Sequence, residues 1–360
     1  MQRMRIRGIA VAGAAVAAMA LSLAACGSSG GGSTSGGGST SGKLSGTLNG
    51  SGSTFQLTFM QTSIQDFKST QPNMTVNYGG GGSGKGRTDL ASGVVQYAGS
   101  DTAPIPSDEV SEFKGKTVLY FPTVVGPITI SYNLSGVKNL KLDGPTIAKI
   151  FSGQVKTWND PAIKSLNPGV NLPGTPITIA RRSDSSGTTQ NFSEFLVESA
   201  PGVWKLGSSS TISWPATSRG GNGNGGVASI VKSTAGAVGY VDFSDAKASG
   251  LTYASVKNKD GNYVAPSTES ATTAADNATI NPNLTFSAIW APGAGSYPIT
   301  YQSWVLVYEK QSSANYVKMQ KAWLGYLLGP GQQTLPELGY AKLPASLDQK
   351  AKAQLSKIGS

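Results

Sequence analysis

Two hydrophobic periods alternate along this chain, one near 3.6 residues and one of two, and their order predicts the architecture. Phe55, Leu57, Met60, Ile64 and Phe67 recur at roughly helical spacing after Gly50-Ser51-Gly52-Ser53-Thr54, so a loop should open into an amphipathic helix there. Gln71-Pro72 stops it, because a residue before proline is pushed out of helical geometry. Met74 to Tyr78 then alternates like a strand, Gly79 to Lys85 is a glycine loop, and a helix follows through Leu90. Tyr97-Ala98-Gly99-Ser100-Asp101 reads as a short strand that presents a carboxylate at its end.

Val118 to Tyr132 is rich in β-branched and aromatic residues and is interrupted by Pro122, Gly126 and Pro127, which predicts strands with a bend or crossover between them. Ile147, Ile150 and Phe151 mark a short helix closed by Gly153, and Asn159-Asp160-Pro161 has cap and first-turn proline in the order of a helix start. Pro176 to Ala180 is a strand leading into Arg181-Arg182-Ser183-Asp184-Ser185-Ser186-Gly187-Thr188-Thr189, with Phe192, Phe195 and Leu196 on the next helix. Ala237 to Phe243 and Tyr301 to Tyr308 read as buried strands, and Tyr316 to Leu328 as an amphipathic helix ended by Gly329-Pro330. Strand-type runs alternating with helical ones predict an α/β fold. The six tryptophans are most simply core or cleft-lining residues.

Ahead of this pattern the chain changes character. Arg3, Arg5 and Arg7 precede an uncharged, Ala-rich stretch from Gly8 to Ala25, the pattern of a targeting segment (residues 1–25). Leu23-Ala24-Ala25-Cys26 resembles the bacterial lipobox, in which the cysteine receives a lipid and becomes the mature N-terminus. That resemblance implies lipidation of Cys26, the single cysteine, and attachment to the outer face of the cytoplasmic membrane. Gly27 to Gly42 contains only Gly, Ser and Thr, with nothing to bury, and is expected to be a tether spanning roughly 20 to 25 Å. The remainder is long enough for two lobes, each with its own core.

Removing Arg3, Arg5 and Arg7 lowers the formal charge from +10 to +7, which favours an anionic ligand or surface. The cations are scattered and form no block, which argues against nucleic acid. Histidine is absent, which removes the commonest general base and zinc ligand, and no metal or other cofactor is expected. A phosphate-releasing enzyme would be left with a Ser-Lys or carboxylate mechanism.

Three segments place small residues and hydroxyls where a helix begins: Ser53-Thr54-Phe55, Ser83-Gly84 and Ser186-Gly187-Thr188. Each offers unpaired N–H groups, a positive dipole end and a hydroxyl, the equipment for holding an oxyanion. Any one alone is an ordinary helix cap. Gly79 to Lys85 also fits the first seven positions of a nucleotide-binding P-loop, but Gly86 stands where Ser or Thr would hold magnesium.

Taken in order, Gly52-Ser53-Thr54-Phe55, Gly82-Ser83-Gly84, Gly99-Ser100-Asp101 and Arg182-Ser183-Asp184-Ser185-Ser186-Gly187-Thr188 resemble the anion-binding motifs of the phosphate-binding proteins of bacterial ABC importers. The resemblance implies an α/β, two-lobed periplasmic-binding-protein-like fold with a two-crossover hinge. Its first lobe would comprise 43–124 with 297–360, and its second 125–296. It implies that Thr54, Phe55, Ser83, Asp101, Arg182, Ser186, Gly187 and Thr188 hold phosphate, that Asp184 steadies Arg182, and that a monomer delivers phosphate to the importer's permease subunits. Ser185 stands where the family more usually has glycine, so a positive φ there would add strain. Asp101 has a chemical meaning of its own: a buried carboxylate tolerates an anion that brings a proton, as phosphate does and sulfate does not. The competing readings are a receptor for sulfate or another oxyanion, a phosphate-releasing enzyme, and a wall-associated adhesion protein.

Overall fold

A computed structural model describes residues 44–360. The targeting segment, Cys26 and the Gly/Ser/Thr tether lie outside the described residues. The elements, in chain order, are β1 (Gly46–Gly52), α1 (Leu57–Thr70), β2 (Met74–Gly79), α2 (Ser83–Ala91), β3 (Tyr97–Ser100), β4 (Val118–Tyr132), β5 (Lys141–Leu142), α3 (Gly144–Phe151) and α4 (Pro161–Lys164). There follow β6 (Thr178–Arg182), α5 (Gly187–Ser199), β7 (Arg219–Gly221), α6 (Gly223–Ser233), β8 (Ala237–Asp242), α7 (Phe243–Ala248), β9 (Thr252–Tyr253), β10 (Ser255–Lys257) and β11 (Tyr263–Val264). The last are α8 (Thr268–Asp276), β12 (Thr300–Tyr308), α9 (Ala314–Leu327) and α10 (Ala345–Gln354).

The strand β4 runs through both lobes. The main sheet runs β2-β1-β3-β12-β4-β8-β6-β7, with β9 also on β4; β5, β10 and β11 form a small separate sheet. β1 pairs in parallel with β2 and β3, and β6 in parallel with β7 and β8, so each lobe has its own parallel strand group. β4 connects the groups by changing partner: Val118 to Pro127 pair with β12, and Ile128 to Tyr132 with β8. β12, returning from the second lobe, pairs antiparallel with both β3 and β4.

The several strands expected between Val118 and Tyr132 are a single strand. Its prolines fall where a ladder can spare an N–H: Trp304 faces Pro122 and Ser303 faces Val124, leaving Thr123 as the extra residue of a bulge. Pro127 sits where the partner changes. The expected helix after Thr54 forms as α1, and its buried face is Phe59, Met60, Ser63 and Phe67, while Leu57 and Ile64 lie at its margin. Trp158, Trp204, Trp304 and Trp323 are core residues; Trp214 and Trp290 pack against the core half-buried.

Candidate functional site

Strand ends and helix starts meet between the lobes. Thr54 and Phe55 lie between β1 and α1; Ser83 opens α2; Asp101 follows β3; Arg182 ends β6; and Ser186, Gly187 and Thr188 begin α5. In an α/β sheet a strand ends where the next helix begins, so main-chain donors and side chains of several segments converge at one edge.

Asp101 is 2% exposed and surrounded by hydroxyls. Ser53 Oγ donates to its Oδ1 at 2.5 Å, and Ser303 Oγ to the same oxygen at 2.6 Å. Ser83 Oγ lies 3.3 Å from Oδ2 and accepts from the Asp101 N–H at 3.0 Å. Burial pushes the carboxyl above its ordinary range, while Ser303, Ser53, the Arg182 charge and Ser83 pull it back.

Arg182, also buried, is gripped on three sides. Its Nε donates to Asp184 Oδ1 at 2.8 Å, and Nη2 to Asp184 Oδ2. Nη1 reaches Asn224 Oδ1 at 3.0 Å and Thr188 Oγ1 at 3.2 Å, and the Arg182 N–H donates to Tyr240 Oη at 2.9 Å. Burial alone would lower the guanidinium pKa, but the bonds and charge of Asp184 outweigh it and raise it. Burial would likewise raise Asp184, and the Arg182 fork with the Gly223 N–H holds it below the usual carboxylate range. β6 does run through Arg182, so Arg181 points to the other face, where it bonds Ser218 Oγ and the Arg182 carbonyl.

Ser186 caps α5 by accepting from the Thr189 N–H at 3.1 Å, which leaves its proton free and the N–H groups of Gly187 and Thr188 in a first turn without intrahelical partners. A side chain on Gly187 would have its Cβ 2.3 Å from Ser83 Oγ and 2.7 Å from Asp101 Oδ2, so only glycine lets α5 approach the first lobe this closely. The Phe55 N–H donates to Ser53 Oγ at 3.0 Å, and the Phe55 ring stacks on Tyr301 at 3.9 Å. Thr54 Oγ1 accepts from the Asn224 N–H at 3.3 Å.

The eight residues singled out in the sequence thus come together, with Asp184 behind Arg182. Lys85 does not join them: its ammonium pairs with Asp89 at 2.5 Å, one helical turn away. Ser185 lies outside the positive-φ region, so the expected strain is absent; its Oγ bonds Ser210 Oγ and its carbonyl accepts from the Gly84 N–H across the cleft at 3.1 Å. Sequence reasoning gave no role to Ser53, Ser303, Asn191, Asn224 or Tyr240. Ser53 stood inside a quoted motif, but the others reach the site through sheet register and helix placement, which no local pattern marks. Asn224 Nδ2 is buried without a partner among the described residues.

A family model described as a PBP superfamily domain matches residues 37–330. Phosphate-binding protein PstS2 of Mycobacterium bovis is 36% identical over 364 residues, covering 96% of this chain and 98% of the relative. Phosphate-binding protein PstS 3 of Mycobacterium leprae is 36% identical over 314 residues, 84% of this chain and 85% of the relative. The chain belongs to this phosphate-binding protein family. A structural neighbour at lower identity has the same fold: the periplasmic phosphate-binding protein PfluDING, solved with bound phosphate, superposes with a TM-score of 0.71 at 21% identity, covering 86% of this chain and 94% of that one. Within this fold, the hydroxyls, N–H groups, arginine and carboxylate described above converge where strand ends and helix starts meet between the lobes.

Proposed function

We propose that this protein captures inorganic phosphate outside the cytoplasmic membrane and delivers it to the permease subunits of an ABC importer. The observation that carries the reading is that Arg182, held by Asp184, and the buried Asp101 carboxyl lie close enough to feel each other's charge in a site otherwise built of hydroxyls and N–H groups. Arg182 neutralises an anion, and Asp101 demands that the anion carry a proton. Phosphate at neutral pH meets both conditions; sulfate would set two negative groups face to face without a hydrogen bond, at a cost of roughly several kcal/mol.

In this reading Thr54, Phe55, Ser83, Asp101, Arg182, Ser186, Gly187 and Thr188 contact phosphate, and Asp184 steadies Arg182. The lobes are 43–124 with 297–360, and 125–296, and the two strand crossings through β4 and ahead of β12 act as the hinge, coupling closure to ligand capture. The protein works as a monomer, held at the membrane through lipid on Cys26, and performs no catalysis. Family membership supports the ligand and the importer partnership. Among the described residues no group of three or more Cys, Asp or Glu is placed to hold a metal, and no helix is long and apolar enough to cross a membrane.

Calorimetric titration of the anion-stripped protein with phosphate and with sulfate tests the proposal, repeated for Asp101→Asn. Wild type should bind phosphate and reject sulfate, and the variant, whose amide can donate to sulfate, should narrow the gap by about tenfold or more. Equal binding of the two anions by wild type, or no phosphate binding, would reject the reading.

A further inference from the structure

We propose that Ser53 and Ser303 determine the anion selectivity of this site by holding Asp101 as a proton acceptor. The inference rests on the phosphate reading above and names what makes the carboxylate selective. Both hydroxyls converge on one oxygen, Oδ1, at 2.5 and 2.6 Å. Ser53 Oγ itself accepts from the Phe55 N–H, which commits its single proton to Asp101. Oδ1 is thereby occupied, whereas Oδ2 has only the long 3.3 Å contact from Ser83. Oδ2 is also the oxygen that lies against Gly187 at the start of α5. One carboxylate oxygen is anchored and the other is turned to the ligand.

A carboxyl this deeply buried tends toward its neutral form, and a neutral carboxyl donates. It would then accept a fully deprotonated oxyanion, and selectivity would be lost. Two charge-assisted hydrogen bonds favour the ionised form instead. The titratable groups facing Asp101 are Arg182 from β6, Tyr78 from β2 and Tyr301 from β12. Arg182 pulls in the same direction but shares its charge with Asp184, and burial keeps both tyrosines neutral. The serine hydroxyls are the close donors to Asp101: Ser303 Oγ also lies 3.3 Å from the Ser100 carbonyl, but its 2.6 Å contact is with Asp101 Oδ1. Ser303 is fixed by backbone register: Trp304 pairs with Ser100, so the preceding residue of β12 falls beside Asp101.

The test is the pH profile of sulfate binding, measured by calorimetry from pH 5 to 8 beside phosphate, for wild type, Ser303→Ala and Ser303→Thr. Losing one hydrogen bond to a charged group shifts a titration by about one unit, so sulfate affinity of Ser303→Ala near pH 6 should rise about tenfold relative to phosphate. Its profile should move to higher pH, and Ser303→Thr, which keeps the hydroxyl, should move it back. A sulfate profile in Ser303→Ala that superposes on wild type overturns the inference while leaving the phosphate reading intact; a wild type with no preference for phosphate overturns that reading instead. Should Ser303→Ala fail to fold, Ser53→Ala removes the other donor and is judged on the same midpoint.

Discussion

Asn191 Nδ2 donates to the main-chain oxygen of Asp101 at 2.7 Å, a bond from α5 in one lobe to the end of β3 in the other. The same amide also donates to the Gly187 carbonyl at 2.9 Å, so it ties the start of α5 to the residue that it closes against. Its bond to Asp101 runs from one lobe to the other, so it exists only when the lobes meet. Asn191→Ala should therefore weaken phosphate binding about fivefold, the worth of roughly 1 kcal/mol, by making closure less favourable. Calorimetry measures this directly; an affinity equal to wild type would mean that the bond is not part of the bound state.

Gly187 offers a sharper probe of closure. The atoms that a new Cβ would strike, Ser83 Oγ and Asp101 Cβ and Oδ2, all belong to the opposite lobe. Gly187→Ala should leave each lobe folded and obstruct their approach, at about 1 to 3 kcal/mol, or roughly 5- to 150-fold in phosphate affinity. Small-angle scattering should show wild type contracting with saturating phosphate and the variant contracting less. Full contraction at wild-type affinity would show that the lobes can meet by another path.

Asp242, at the end of β8, is fully buried and is in no ion pair among the described residues. Its Oδ1 accepts from Ser244 Oγ and the Asp245 N–H, while Oδ2 has no partner among the described residues. Burial, reinforced by the Asp245 carboxylate, holds its pKa well above the ordinary value. Below the ordinary carboxylate range the group is protonated whether the chain is folded or not. As pH rises above that range the unfolded chain releases the proton first, so this residue's contribution to stability falls until the folded group also ionises. Asp242→Asn keeps the Oδ1 acceptor and cannot ionise; its melting temperature should decline less than that of wild type between pH 5 and pH 8. Parallel curves for the two proteins would sink the assignment.

Much of this protein was legible without coordinates, because its chemistry is carried by short stretches with local meaning. A helix N-terminus after Gly52-Ser53-Thr54, another at Gly82-Ser83 and a third after Ser185-Ser186 are written in glycine and hydroxyl residues, which leave first-turn N–H groups accessible and add donors beside them. The two-residue period of a strand puts Arg181 and Arg182 on opposite faces, and β6 runs through Arg182, so the rule applies to both. The single long β4 was not legible. Pro122 and Pro127 read as breaks until a bulge and a change of partner show how a strand can carry them.

The sequence by itself determined which residue types would face an anion and in what order, because capping, strand period and the chemistry of a buried carboxylate act over a few residues. Only the tertiary structure decided which oxygen of Asp101 the serine hydroxyls occupy and which they leave. That depends on Ser303, some two hundred positions away, arriving through the β3–β12 register, and on Ser53 arriving from the turn after β1. Long-range register is fixed by the packing of whole sheets, and no local pattern of residues encodes it.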